Sequence, residues 1–263
     1  TWTPQDSHSD DLEMAGYGCA DTVKYGTAAD GTLVLTHHPV FPTLRLRPNT
    51  THASWQMDMP EGIVLYRDGE RLRERPTKFR IDGVLHITSR AGELQICRTC
   101  YPAATARASF EEIRITNDGT QSVSLTTDTP QSRIVEEVMG PMGVNVAEIT
   151  HDFRNTILAP GNVIRIVTQF SGRLANEPTP SLHADEELEK RRNRIRALTT
   201  PMAIDTGDAV LDALFTFSKL RAGESVFDTR YGKLHSPGGY SYYAATWCND
   251  EVEYAGPYFA YTG

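Results

Sequence analysis

Turn residues in the first two thirds of the chain restrict the fold more than any other feature. Asp-Gly pairs occur at residues 30–31, 68–69, 82–83 and 118–119, each next to a run of β-favouring residues. Asp-Gly between such runs is among the strongest hairpin signals, because a tight hairpin turn needs positive φ angles. The sequence therefore predicts that residues 1 to about 180 form strands divided by turns.

Two segments carry this prediction. Residues 78–81 alternate between polar and apolar side chains up to the Asp82-Gly83 turn, and residues 84–87 are the predicted second strand of that hairpin. In the same way, residues 110–115 are a predicted strand that leads through Asp118-Gly119 to residues 123–125. Other predicted strands lie at 43–47, 63–66, 94–100, 133–138, 144–149 and 163–170. About ten or more strands without a helical period between them predict a large antiparallel β-sandwich, bigger than an immunoglobulin domain. A parallel α/β sheet is excluded, because it needs crossover helices.

The pattern becomes helical after residue 181. Residues 182–198 predict a charged helix in which acids at 185–189 precede bases at 190–196, as expected for a solvated linker helix with a thin apolar stripe. Pro201 ends this helix. We thus expect a sandwich domain over residues 1–180, a linker helix over 181–204, and a helical region over 205–263.

A second helix is predicted to begin at residues 205–208, with Asp205 or Thr206 as its cap. Its leucine, valine and phenylalanine residues lie on more than one side, which is typical of a helix packed between other helices. Near its end, Arg221 and Glu224 are spaced as an ion pair, and we prefer that interpretation to a role in a site.

An aromatic and acidic segment follows at residues 229–263, with seven tyrosines, one tryptophan, one phenylalanine and three closely spaced carboxylates. Trp247, Asp250, Glu251 and Tyr254 follow helical spacing and would share one face, with Glu253 beside Asp250. Flat aromatic faces next to acids suit sugar cleavage. A structural alternative stays open, because Asn249 is a good N-cap and acids after a cap stabilise the helix dipole.

Composition excludes several classes of function. A net charge of -8 and a pI near 5.5 argue against nucleic acid or an anionic membrane as a partner. No apolar run approaches the roughly 18–20 residues of a membrane span. The chain begins at Thr1 without Met or a signal peptide, so we expect a mature secreted or periplasmic protein, or a trimmed one.

The cysteines and histidines predict neither a disulfide framework nor a metal site. Cys97 and Cys100 lie in one predicted strand, where three extended steps separate them by roughly 10 Å, too far for a bridge. His37, His38, His52 and His86 follow no ligand spacing. No metal and no cofactor is expected.

Several short segments support a family resemblance. They are Leu220-Arg221-Ala222-Gly223-Glu224-Ser225, His235-Ser236-Pro237-Gly238-Gly239, Trp247-Cys248-Asn249-Asp250-Glu251-Val252-Glu253-Tyr254, and in the sandwich residues 35–42 and 158–161. Together with the order of sandwich, linker helix and apolar helix, they resemble the six-hairpin glycosidase superfamily, in particular uncharacterised bacterial members. The resemblance implies an N-terminal super-sandwich followed by the first helices of an (α/α)6 barrel.

The barrel of that superfamily has twelve helices, of which this chain supplies two or three after residue 205. The resemblance therefore implies the N-terminal portion of a glycoside hydrolase, inverting as is common in such barrels, with little or no activity by itself. A looser likeness to α-L-rhamnosidases, whose general acid lies in an Asp-Glu pair, points to Asp250 and Glu251. That pattern has an arginine just before the pair, where this chain has Asn249.

On this interpretation Glu251 is the first candidate for the general acid and Asp250 the second, with Glu253 tuning or positioning them. The expected sugar-binding residues are Trp247, Tyr242, Tyr243, Tyr254, His235 and Arg230. Two alternatives remain: a non-catalytic carbohydrate-binding or scaffold sandwich, and a glycoside phosphorylase of the same architecture.

Overall fold

The computed structural model describes residues 1–48, 53–59, 61–236 and 246–262, with the side chains of Asp250, Tyr254 and Thr262 outside the description. The strands are β1 His8–Ala15, β2 Ala20–Thr27, β3 Leu33–Arg45, β4 Ser54–Gln56, β5 Tyr66–Arg67, β6 Glu70–Arg71, β7 Arg75–Ile81, β8 Leu85–Ala91, β9 Leu94–Pro102, β10 Ala108–Asn117, β11 Val123–Thr126, β12 Ser132–Gly140, β13 Gly143–His151, β14 Thr156–Leu158, β15 Val163–Leu174, β16 Val226–Thr229 and β17 Gly232–His235. The helices are α1 Ala184–Thr199, α2 Ala209–Glu224, a π-helix Asp250–Ala255 and α3 Gly256–Thr262.

A seven-stranded sheet of order β12-β13-β15-β10-β9-β8-β7 forms the centre of the sandwich. Two four-stranded sheets, β1-β2-β3-β4 and β14-β11-β5-β6, lie on one of its faces, and neighbouring strands pair antiparallel throughout. Apolar side chains fill the space between the layers, as in the contacts of Phe41 and Trp55 with Phe170, and of Leu125 with Ile113. The predicted large antiparallel sandwich is confirmed.

Three of the four Asp-Gly pairs form the predicted hairpins, at residues 30–31, 68–69 and 82–83. At the tightest of these, Asp68 and Gly69 both adopt positive φ angles, of 50° and 87°. The hairpin predicted at Asp118-Gly119 is wrong. There β10 ends in the seven-stranded sheet and β11 begins in a four-stranded sheet, so the turn changes layers.

Helix α1 packs against the other face of the seven-stranded sheet. Its Leu188 and Ile195 contact a cluster that includes Tyr101 of β9 and Phe110 of β10. The Tyr101 hydroxyl donates to the carbonyl of Ala184 at 2.9 Å, which fixes the start of the helix against the sheet.

The prediction that α1 is solvated along its charged residues is wrong for its inner face. Glu187, Arg191 and Arg194 are buried there. Arg191 donates to the carbonyl oxygens of Gly83, at 2.7 and 3.0 Å, and Ala15, at 2.8 Å. These contacts replace the water that the charged groups lose, so α1 is bound to the sandwich by polar as well as apolar contacts.

Helix α2 begins one residue after Asp208, whose carboxylate accepts from two N–H groups of the first turn. The predicted caps Asp205 and Thr206 are therefore wrong by two or three positions. Four of its apolar residues, Val210, Leu211, Leu214 and Phe217, are exposed, so the described residues do not cover this helix on the side where it was expected to pack. The predicted ion pair between Arg221 and Glu224 is confirmed, with a separation of 2.7 Å.

The hairpin β16–β17 is fastened to the sandwich. Phe227 packs in a cluster with Ala15 and Val40, and the Asp228 N–H donates to the Tyr17 carbonyl at 2.9 Å. The guanidinium of Arg194 and the ammonium of Lys233 lie 3.6 and 3.9 Å from the centroid of the Tyr17 ring, and such contacts are attractive. Among the described residues, no helix combines the length and apolar character needed to cross a membrane.

Candidate functional site

A histidine–carboxylate pair lies where the sandwich meets the C-terminal helical segment. Nδ1 of His235, at the end of β17, is 2.9 Å from Oε1 of Glu251 in the π-helix. The His235 side chain is 11% exposed and that of Glu251 31% exposed. Phe259 of α3 meets the imidazole edge-on, with centroids 5.6 Å apart. The carboxylate is thus held in one orientation while part of it stays accessible.

Backbone contacts hold the two halves of this pair. The Ser236 N–H donates to the Ser225 carbonyl at 2.8 Å, which fastens the chain after His235 to the end of α2. On the other side, the Glu251 N–H donates to the Trp247 carbonyl at 3.1 Å. Trp247 is 41% exposed, so part of its side chain is accessible to solvent four residues before Glu251.

Asn249 does not act as the cap that the sequence offered, and the turn after it is not the α-helix on which the predicted shared face was based. Asn249 has helical angles and makes no side-chain cap bond, so it lies inside the helical turn. The following residues form a π-helix, in which the Gly256 N–H donates to the Glu251 carbonyl five residues earlier. A π-helix is wider than an α-helix, so spacings derived from 100° per residue no longer apply. Such bulges are frequent at functional sites.

The structure brings only some of the predicted residues together. The side chains of His235 and Glu251 are in contact, and Trp247 is joined to Glu251 through its backbone carbonyl. The Glu253 side chain is exposed. Arg230 is in the turn of the hairpin, at the other end of β17 from His235, roughly 10 Å along the strand. It is exposed and stacks on Tyr231 at 4.6 Å. Tyr242 and Tyr243 lie outside the described residues, as do the side chains of Asp250 and Tyr254.

A second group of polar side chains, which the sequence did not predict, lies inside the sandwich. His37 of β3 faces Cys100 of β9 and Glu111 of β10, and one ligand atom from each lies within 4.8 Å of the others. All three are buried. The Asp21 carboxylate of β2 accepts a hydrogen bond from Nδ1 of His37 at 2.8 Å. Arg98 donates to Oε1 of Glu111.

Charge and burial shift the proton affinities in this interior group. Burial lowers the pKa of the His37 imidazole, but the Asp21 carboxylate and the Cys100 side chain together outweigh it, so the pKa is raised well above its ordinary value. Burial raises the pKa of the Cys100 thiol, against the opposing effect of His37. The pKa of the neighbouring Glu74 lies below its ordinary value. Burial alone would raise it, but the contacts with Arg98 and Ser89 have the larger opposite effect.

A cavity of about 400 Å³ adjoins this interior group, with His37, Glu74, Arg98 and Glu111 in its lining. Sequence reasoning missed the group because its members come from different strands. One available signal was the alternation of β9, which places Cys100 and Cys97 on opposite faces because they are an odd number of positions apart. All four cysteines are free, as expected.

Comparisons with known proteins give a likeness of fold. No protein family model matches the sequence, and a search of curated proteins finds no match. Among solved structures, a putative kojibiose phosphorylase from the human microbiome superposes with a TM-score of 0.58 at 9% identity. The alignment covers 95% of this chain and 44% of that protein, so the chain spans less than half of its length. At this identity the likeness concerns the fold alone.

Proposed function

We propose that the chain is the N-terminal portion of a carbohydrate-active enzyme of the six-hairpin glycosidase superfamily, and that Glu251 acts on the glycosidic bond. The hydrogen bond between His235 and Glu251, four residues after the partly exposed Trp247, is the observation that carries this proposal. A carboxyl group held by a fixed partner next to an aromatic ring suits a sugar ring that stacks while its glycosidic oxygen takes a proton.

In the proposed mechanism Glu251 is the general acid and His235 is a positioning residue. The imidazole engages Oε1 of the carboxyl group, and Oε2 is the oxygen that would deliver the proton to the departing sugar. The matching carboxylate, which activates water from the opposite side of the sugar, would come from further helices of the barrel. The chain by itself is therefore expected to have little or no turnover.

The domain division rests on the exposed side of α2. We assign residues 1–180 to the sandwich, 181–204 to the linker helix and 205–263 to the beginning of a barrel. Four apolar side chains of α2, those of Val210, Leu211, Leu214 and Phe217, are 38–74% exposed. Large contiguous apolar surfaces are typically covered by another element, and helices of a barrel would cover this one.

The test is turnover by the complete gene product that contains this chain. A panel of glycosides is assayed with the wild-type protein and with Glu251→Gln, Asp250→Asn and Glu253→Gln variants. Loss of a positioned general acid lowers turnover by about 10²- to 10⁴-fold, and we expect this loss for Glu251→Gln. Glu253→Gln tests the proposed tuning role of Glu253 and should lower turnover less than Glu251→Gln does, because Glu253 has the same charge but is exposed.

The variants separate the assignment of the acid from the assignment of the class. If Glu251→Gln keeps wild-type turnover and Asp250→Asn loses it, Asp250 is the acid and our choice is wrong. If no glycoside is cleaved by the complete gene product, the enzymatic proposal is wrong. A glycan array with residues 1–180 then tests the remaining alternative, a carbohydrate-binding or scaffold module, for which binding is required.

Phosphorolysis is the second candidate reaction, favoured by the structural likeness to a putative phosphorylase. In phosphorolysis, phosphate replaces water as the attacking group and the product is a sugar phosphate. Turnover that depends on inorganic phosphate selects phosphorolysis, whereas turnover in phosphate-free buffer selects hydrolysis. Secretion or a periplasmic location belongs to the same proposal and is tested by fractionating cells that express the natural gene.

A further inference from the structure

The interior of the sandwich holds a set of side chains that the proposed function does not use. His37, Cys100 and Glu111 offer one nitrogen, one sulfur and one oxygen within 4.8 Å of one another. They are 1%, 0% and 2% exposed. We propose that these three residues bind a divalent transition-metal ion of the Zn²⁺ type, independently of any reaction at Glu251.

The separations suit such an ion. Zn²⁺ binds sulfur at about 2.3 Å and nitrogen or oxygen at about 2.0–2.2 Å. Tetrahedral donors at these lengths lie roughly 3.3–3.8 Å apart. Nε2 of His37 is 3.8 Å from Oε2 of Glu111, too long for a hydrogen bond. A nitrogen–oxygen pair on one Zn²⁺ is about 3.3–3.5 Å apart, so binding would draw these two atoms together by a few tenths of an ångström.

The second observation is a polar atom without a hydrogen bond. Nε2 of His37 is buried and makes no hydrogen bond of ordinary length among the described residues; its neighbours there are the Cys100 thiol and Oε2 of Glu111. A buried imidazole nitrogen in this condition is costly. A proton on Nε2 would meet only a thiol and a carboxylate oxygen 3.8 Å away, whereas a metal ion would use the nitrogen lone pair and engage Glu111 and Cys100 together.

The groups behind the three donors match those of known metal sites. The other nitrogen of His37, Nδ1, is 2.8 Å from the Asp21 carboxylate. A carboxylate on the second nitrogen of a ligating histidine fixes its orientation and raises its basicity. The Asp21 carboxylate also accepts from the His38 N–H at 3.2 Å, so Asp21 is itself held in place.

The charges around the group favour a cation. Asp21, Glu111 and Glu74 are buried acids, and Arg98 is the permanent cation bound to two of them. Arg98 engages Oε1 of Glu111, while Oε2 is the atom nearest His37. The group therefore has more buried negative than permanent positive charge, and the metal would displace the thiol proton of Cys100 to solvent.

An ion could enter through the adjoining cavity. His37 and Glu111 line this space of about 400 Å³, and Gly62 also lies on its wall. A Cβ at Gly62 would lie 2.7 Å from Cγ2 of Thr168 and 3.3 Å from Oε2 of Glu111, so a side chain there would crowd this wall of the cavity. The fourth coordination position would face the cavity and hold a water molecule.

The experiment titrates the chelator-treated chain with Co²⁺, which replaces Zn²⁺ and absorbs light. We expect one Co²⁺ per chain, an intense near-ultraviolet band from thiolate-to-cobalt charge transfer, and loss of that band when Zn²⁺ is added. Cys100→Ser should abolish the band, and Cys97→Ser, on the opposite face of β9, should keep it. Asp21→Asn should weaken binding by about 10- to 100-fold.

Three results would overturn the proposal: no thiolate band with the wild-type chain, an unchanged band in Cys100→Ser, or a band lost in Cys97→Ser. If Cys100→Ser does not fold, as judged by circular dichroism, Glu111→Gln answers the question because it keeps the shape of the side chain. Co²⁺ affinity at least tenfold weaker in Glu111→Gln supports the site, and unchanged affinity refutes it.

Discussion

Replacing Arg191 by Met tests how α1 is attached to the sandwich. Arg191 is 0% exposed and lies between three parts of the chain. It donates to the carbonyls of Gly83, before β8, and Ala15, at the end of β1, and it forms an ion pair with Glu224 at the end of α2. Methionine fills similar space but makes none of these bonds.

The expected loss follows from the groups left behind. Removing one partner of a buried ion pair costs about 3–5 kcal/mol, and each buried acceptor left without a donor costs about 1–3 kcal/mol. Glu224 keeps its contact with Arg221 at 2.7 Å, which limits the first cost and overlaps with the second. We therefore expect Arg191→Met to lower the free energy of unfolding by about 3–5 kcal/mol.

The assay is urea unfolding followed by circular dichroism, with Arg192→Met as the matched control. Arg192 is the next residue and is exposed, so its replacement should change the free energy of unfolding by at most about 0.5 kcal/mol. A difference below about 1 kcal/mol between the two variants would refute the reasoning, because it would mean that the Arg191 contacts add no net stability.

Three further predictions concern the cap, the interior acids and a close approach of two loops. Asp208→Ala should lower the free energy of unfolding by about 1 kcal/mol in the same assay, because the cap of α2 is lost. The folded-state pKa of Glu74 is depressed, since Arg98 outweighs burial; its stabilisation is present above the ordinary value of 4.5 and is lost as the pH falls below it. Glu74→Gln should therefore flatten the decline of the melting temperature in that acidic range, and an unchanged profile would contradict this. Gly16→Ala should cost about 1–3 kcal/mol or more, because its Cβ would lie 1.8 Å from the Ala103 carbonyl oxygen; wild-type stability in urea would contradict this.

Turn residues allowed much of the sandwich to be predicted, and the failure at Asp118-Gly119 has a clear cause. A turn signal reports that the chain reverses locally. It does not report whether the next strand pairs with the previous one or joins another sheet. The same chemistry closes a hairpin at Asp82-Gly83 and joins two layers at Asp118-Gly119. Layer assignment depends on which apolar faces meet in three dimensions.

The charges of α1 illustrate a second limit. Acids followed by bases along a helix indicate a solvated surface, and for Arg192 and Arg196 the structure agrees. Arg191 and Arg194 have the same residue type and nearly the same position but are buried. Their partners include the carbonyls of Gly83 and Gly223, which no spacing along the helix can identify.

The two candidate sites differ in how much of each could be predicted from the sequence. His235 and Glu251 were singled out from their local surroundings, and the structure brings them into contact. The interior group of His37, Cys100 and Glu111 depends on the register of strands in two sheets, so sequence spacing could not bring its members together. The histidine spacings gave no ligand set because only one of the histidines belongs to this group.

The hairpin β16–β17 is attached to the sandwich through Tyr17, so His235 and Glu251 belong to different parts of the structure. His235 belongs to a strand pinned to the sandwich, whereas Glu251 belongs to a helical turn that follows it in the chain. Any rotation of the helical segment against the sandwich would lengthen the bond between them and release the carboxyl group. The distance between these two side chains would therefore report the position of the helical segment relative to the strand that carries His235.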